Sequence, residues 1–460
     1  FSIVKRGAPF HGSGRGRWQL DPVRTMDSFL SILIVWVVTP LLLFSSCYLS
    51  LRLGWPQFRR IGQAFRHVLA KSDGGRRFGS FSAVAVIVGG NLGAGTIAGT
   101  ALALKTGGPG ALFWMVIVAL LGGVVKLACA SLGTLYQERN SQGGSMGGAM
   151  FYMAKGLNSF PLGTVYCILL IGAALTVGNL VQTNAFVSAL PQALSGSRPI
   201  AVLLLAVPTA FILCGSLRRF SRFMSVSVPI IGCVHVIVCI VGILLMHDNV
   251  FSVIESIFRG AVAAPAVAGG AAGAAILTTV QSGISRGLFA TDIGLGLAAI
   301  AHGEVDRGRR PLDRHAREQG IIALLSPAIV AAVCAITGIL ILCAAPDFQR
   351  CASEICVQTF STAFHSDCAG WLIPITIYCF AITTMIAWAW FAEHAFYYFR
   401  APKLRMAFRA IFIGLMPIGA FMESSLPWTL ADGCIAGLLL TNVCAILLLR
   451  KKLVALYGNT

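Results

Sequence analysis

Asn91, Thr96 and Thr100 are three polar side chains set among five glycines, Gly89, Gly90, Gly93, Gly95 and Gly99, within residues 88–100. A glycine inside a helix costs about 1 kcal/mol relative to alanine. In lipid, no water satisfies a backbone group that such a weakness frees. An apolar stretch this rich in glycine therefore sits against protein or lines a wet cavity. A backbone broken there offers carbonyls to a cation and N–H groups to a carboxylate. The same small residues would also make a close helix-packing face. Both alternatives stay open on this stretch alone.

The elements that must position these groups are membrane spans. The chain of 460 residues is 57% hydrophobic and 11% charged, with a mean hydropathy of +0.81. Soluble proteins carry about 25% charged residues, so this is an all-α polytopic membrane protein. A span needs about 20 apolar residues. Eleven are expected, near 26–50, 80–104, 110–134, 161–188, 199–216, 223–246, 262–285, 320–344, 370–399, 405–422 and 428–449. Residues 1–25 read as a polar, basic tail expected to be poorly ordered. Residues 57–69 place Phe58, Ile61, Phe65, Val68 and Leu69 on one helical face, as in a helix lying in the membrane interface.

The net charge of +18 is a topology signal rather than a sign of nucleic-acid binding. Loops 51–79, 217–222, 286–319 and 400–409 and the tail 450–460 are rich in Lys and Arg, and the loops between them are poor. The rich loops and the C-terminus are therefore expected in the cytoplasm. Cys351, Cys356 and Cys368 share one polar loop, where a disulfide would require an oxidising compartment. No metal-ligand spacing, nucleophile elbow or phosphate-binding loop is present, which argues against an enzyme.

The halves echo each other. Span 262–285 opens on a run with no side chain larger than valine, including Gly269, Gly270 and Gly273. It is the seventh span, five after the glycine-rich second, and an odd offset means the opposite membrane orientation. Paired interrupted segments in opposed halves point to a transporter's midplane site.

Several runs resemble the alanine/glycine:sodium symporters. Gly93-Ala94-Gly95-Thr96-Ile97-Ala98-Gly99 is similar to that family's Gly-Thr-Gly-Asn-Ile-Ala-Gly, and Gly107-Gly108-Pro109-Gly110-Ala111-Leu112-Phe113-Trp114-Met115 follows in step. Gly178-Asn179-Leu180-Val181-Gln182-Thr183-Asn184 resembles Gly-Asn-x-Val-Gln-x-Asn. Residues 286–296 resemble the signature Arg-Gly-x-Phe-Ser-Asn-Glu-Ala-Gly-x-Gly, and Trp428-Thr429-Leu430-Ala431-Asp432 matches near the end. The matches are collinear from about residue 55 to 450.

The resemblance implies a leucine-transporter-type 5+5 inverted repeat with one extra N-terminal helix. Residues 26–79 would hold the extra helix and the amphipathic segment, 80–246 the first repeat, and 262–449 the second. It further implies a monomeric carrier of alanine or glycine, coupled to Na⁺, in the lipid bilayer of a bacterial inner membrane. Asn91, Gly95, Thr96, Gln182, Gly269, Gly270 and Trp388 would bind substrate. Gly93, Thr383 and Thr384 would bind Na⁺, and Asp292, in the loop after span seven, would gate the inner side.

Some positions depart from the family. Thr96 stands for asparagine, Cys129 for glutamate, Ala290-Thr291-Asp292 for Ser-Asn-Glu, and Ser326-Pro327 interrupts a span. Proton coupling, through Glu393, Asp432 or His235, and a transport-dead homologue are the alternatives these departures leave.

Overall fold

A computed structural model describes residues 30, 32–69, 78–139, 144–190, 197–262, 270–422 and 425–458. The expected tail 1–25 and Gly269 lie outside these. The helices used below are α1 (Ile34–Leu53), α2 (Ile61–Leu69), α3 (Ser80–Asn91), α4 (Ala94–Gly107), α5 (Gly110–Leu135), α6 (Phe160–Ala189), α7 (Arg198–Leu213) and α8 (Leu217–Leu245). They continue with α9 (Val250–Val262), α10 (Gly270–Thr291), α11 (Leu297–Gly303), α12 (Leu312–Ala344), α13 (Ala352–Ala363), α14 (Leu372–Tyr398), α15 (Leu404–Phe421) and α16 (Ser425–Leu448). A two-residue β-ribbon pairs Glu138–Arg139 with Ser145–Met146.

Among the described residues, eight helices are long and apolar enough to cross a membrane, or nine when the bent pair α3 and α4 counts as one span. The two other expected spans are also helices, α7 of 16 residues and α10 of 22. The fold is thus the all-α polytopic kind that the hydropathy requires.

Burial separates core from periphery. Helix α14 carries an almost unbroken buried run from Phe380 to Ala395. Helix α8 instead exposes Val226, Ile230, Val234, Ile237, Val241 and Leu244, a stripe at helical spacing. An apolar stripe facing outward is stable only against lipid. The amphipathic segment forms α2 after a turn at Pro56–Arg59; Ala64 is buried beneath it while Phe58 and Phe65 stay exposed. All fourteen cysteines are free thiols, so no disulfide joins Cys351, Cys356 and Cys368.

Two helices break inside the core. Helix α3 stops at Asn91, and α4 restarts after an extended Gly93 (φ −113°, ψ −172°), with a bend of 47°. Helix α10 stops at Thr291, and α11 restarts at Leu297. Between them, Asp292, Gly294 and Gly296 have φ of 49°, 85° and 93°. Two of these are glycines and the third is aspartate, the short polar type that tolerates this region.

The second break corrects two expectations. A break lies at 292–296, whereas the described part of the small-residue run, with Gly270 and Gly273, sits in the continuous helix α10. Alanine, which fills that run, is the strongest helix former. Asp292 accordingly belongs to the break itself and not to a loop beyond the span. Arg286, counted as a loop residue, is inside α10.

Candidate functional site

The two breaks meet. Asn91 Nδ2, at the end of α3, donates to Thr291 O, at the end of α10, at 3.0 Å. Both helices bring C-terminal carbonyls, and so partial negative charge, to this point. Helix α4 brings the opposite polarity, since its first N–H groups lack intrahelical partners. Thr96 N donates to Gly93 O at 3.0 Å, and Thr96 Oγ1 donates to Asn91 O at 2.5 Å. The Thr96 hydroxyl thereby spans the first break.

Helix α14 supplies the facing wall. Thr384 and Trp388 are four residues apart and share a face. Thr384 Oγ1 donates to Gly89 O at 2.9 Å and lies 3.4 Å from Leu92 O. Trp388 Nε1 donates to Gly90 O at 3.3 Å. Gly178 permits this approach, because a methyl group there would lie 2.4 Å from Trp388 Cβ.

Helix α6 completes the enclosure. Its residues Thr176–Leu180 form a π-helical turn, a local widening often found at functional sites. Gln182 follows, and its Nε2 donates to Val177 O at 3.1 Å. A methyl group built on Gly93 would lie 2.9 Å from Gln182 Oε1 and 2.9 Å from Thr384 Oγ1. Amide, hydroxyl and broken backbone therefore converge on one residue that has no side chain.

Above Gly95 lies an aromatic pair. Phe289 and Trp428 have ring centroids 5.4 Å apart, and a methyl group on Gly95 would meet Phe289 at 2.8 Å. Beyond Trp428 is a cavity of about 350 Å³ whose lining includes Ala98, Asn184, Arg286 and Asp432. At the opposite end Trp390 stacks on Phe78 and Phe220 at 5.4 and 5.0 Å and lines a second cavity of about 210 Å³. There His394 Nε2 lies 3.2 Å from Glu304 Oε2, and Arg409 grips Glu393 with two bonds of 2.6 and 2.9 Å.

The structure thus brings together Asn91, Gly93, Gly95, Thr96, Gln182, Thr384 and Trp388. It does not bring the Thr383 hydroxyl, which bonds back to Phe380 O at 2.9 Å on its own helix. Gly270 lies at the far end of α10, roughly 30 Å from Thr291 at 1.5 Å per residue. Sequence reasoning missed Phe289 and Trp428 as a pair, although both stand inside quoted motifs. It also missed Asn442 and Tyr166. Asn442 Nδ2 donates to Gly294 O at 2.7 Å and Tyr166 OH to Leu295 O at 2.9 Å, which pins the second break. Their one sequence signal is a polar group in an apolar helix.

No group of three or more His, Cys, Asp or Glu side chains fit to hold a metal occurs among the described residues. The oxygens gathered here are carbonyls and hydroxyls, ligands suited to a hard cation. His235, alone on α8, bonds Thr337 Oγ1 through Nε2 at 2.9 Å, as a buried structural histidine does.

Comparison with known proteins agrees with this architecture. The model of the sodium:alanine symporter family matches residues 21–459. An uncharacterised transporter of Haemophilus influenzae is 30% identical over 439 residues, covering 94% of this chain and 95% of that protein. The sodium/alanine symporter AgcS of Methanococcus maripaludis is 27% identical over 446 residues, covering 94% of this chain and 95% of its own. A crystal structure of the Eremococcus coleocola manganese transporter superposes with a TM-score of 0.57 at 13% identity, covering 82% of this chain and 80% of that one. That last likeness concerns the fold alone.

Proposed function

The chain belongs to the sodium:alanine symporter family, and on that premise we propose that it imports a small neutral amino acid, alanine or glycine, with Na⁺ by alternating access. It is a multi-pass membrane transporter and not an enzyme. The observation that carries the finer reading is the meeting of two broken helices around Gly93, with Gln182 and Thr384 closing on the same point.

The residues divide by chemistry. The first turn of α4, at Gly95 and Thr96, receives the substrate carboxylate, because the positive end of the helix dipole favours an anion there. Asn91 and Gln182 hydrogen-bond the substrate. Trp388 on one side and the Phe289–Trp428 pair on the other leave room only for a small side chain. Na⁺ sits by the Thr384 hydroxyl and the carbonyls of Gly89 and Leu92, which lie 2.9 and 3.4 Å from that hydroxyl. Asp292 marks the hinge at which α11 swings to open the inner side. The lysine- and arginine-rich loops support a cytoplasmic position for that side and for the C-terminus, in a bacterial inner membrane. One chain supplies every wall of the site, which suits a monomer.

Labelled alanine and glycine in proteoliposomes test this directly. Accumulation is expected under an inward sodium gradient and not under a proton gradient alone. Accumulation driven by protons alone, or none under either gradient, overturns the sodium-symport reading.

A further inference from the structure

One face of α5 carries Gly122, Lys126, Cys129 and Gly133, at helical spacing. Gly122 receives Ile293: a methyl group there would lie 2.6 Å from Ile293 Cδ1. Gly133 rests on α11, where a methyl group would lie 2.6 Å from Ala299 Cβ. The face therefore runs along the second break, and Lys126 falls between its two contact points, opposite 292–296. Lys126 and Asp292 are both buried, at 2% and 5% exposure.

The Lys126 ammonium has one long hydrogen bond, 3.4 Å to Ser326 Oγ. Asp292 Oδ2 has no hydrogen-bond partner among the described residues. The two groups make no direct ion pair, and their attraction acts across the buried contact between α5 and the break. A single uncompensated charge at this depth is costly, whereas two opposite charges compensate. Tyr166 and Asn442 hold the break through its carbonyls, which leaves Asp292 Oδ2 without a hydrogen-bond partner among the described residues.

We propose that Lys126 and Asp292 form the internal charge pair of the transport core, and that Asp292 is the positioning residue which sets the second break against α5. The two charges must be kept or removed together. Cys129, one turn from Lys126 on the same face, is a second place from which a carboxylate serves the same ammonium. The consequence for uptake rests on the transport reading above; the consequence for stability does not.

Four variants test the pair: Lys126→Met, Asp292→Asn, the two combined, and Asp292→Asn with Cys129→Glu. Thermal stability is read by size-exclusion chromatography of the heated, detergent-purified protein, and uptake by KM and maximal rate. Each single neutralisation is expected to lower the melting midpoint and to cut the maximal rate roughly 100-fold, the scale of loss when a site is mispositioned. The combined variant is expected to recover the midpoint and a near-native KM. Cys129→Glu is expected to rescue Asp292→Asn in both readouts. Losses that add in the combined variant, or a Cys129→Glu arm without rescue, overturn the pair. A wild-type protein that transports nothing but whose midpoints still follow this pattern keeps the pair and sinks only the transport reading.

Discussion

Gly93→Val is expected to reduce uptake roughly 100-fold, on the scale of a site displaced by about 1 Å, while the protein still reaches the membrane. The first carbon of the new side chain would stand 2.9 Å from both Gln182 Oε1 and Thr384 Oγ1. Real Cβ atoms do not rest that close, so amide and hydroxyl must both retreat. The Thr384 hydroxyl would leave Gly89 O, and the oxygens proposed for the cation would scatter. Two further methyl groups would occupy the space proposed for substrate. The fold loses less, because the atoms in the way are side-chain ends rather than backbone. Uptake compared at equal membrane abundance checks this, and a valine variant with near-native rates would remove Gly93 from the site.

Asn91→Ala is the second large effect. It removes the bond from Nδ2 to Thr291 O that joins the two breaks across 200 residues of sequence. A hydrogen bond between membrane helices contributes only about 1 kcal/mol to stability. Transport asks more, since both breaks must hold their geometry together while the site changes its exposure. Uptake is therefore expected to fall about 100-fold with a small change in melting midpoint. Asn91→Asp should do no better, since a carboxylate presents an acceptor to the Thr291 carbonyl. A loss of stability as large as the loss of uptake would mark Asn91 as structural glue instead.

The first break was legible in the sequence because glycine density in an apolar stretch has a direct physical cost. Gln182 was reachable through its motif and Thr384 and Trp388 through the family resemblance, and the structure brings Gln182 and Thr384 to Gly93 and Trp388 to the carbonyl of Gly90. The break at 292–296 lies about 20 residues beyond the glycines expected to form it, of which Gly270 and Gly273 are helical. Small side chains were taken as the signal, yet alanine holds a helix, and the break required the positive φ that Gly294 and Gly296 supply. Arg286 was assigned to a loop because a charge ends an apolar window. In the fold it lines a cavity with Asp432, where burial of its stem and the opposite charge compensate. Thr383 and Thr384 are adjacent and chemically alike, so sequence could not tell them apart. The helix turns one hydroxyl to the break and the other to its own backbone. Tyr166 and Asn442 reach the break only through tertiary contacts that span 129 and 148 residues.

The two ends of the site differ. Toward the cavity, the Phe289–Trp428 pair is the barrier. At the other end, aromatic stacking of Trp390 is backed by His394–Glu304 and by the doubly bonded Glu393–Arg409 pair. Glu393, a candidate for proton coupling from sequence, is held in that structural pair.

Sodium coupling is tested most directly at equilibrium, by calorimetric titration of alanine into the purified protein at stepped sodium concentrations with choline as the replacement ion. An ion that binds beside the substrate and raises its affinity must, by linkage, have its own affinity raised by the same factor. Alanine affinity is predicted to rise at least about tenfold, a coupling within the usual allosteric range, and Thr384→Ala is predicted to flatten that rise. Alanine binding that is indifferent to sodium, in the native protein and the variant alike, would contradict a sodium site at the first helix break.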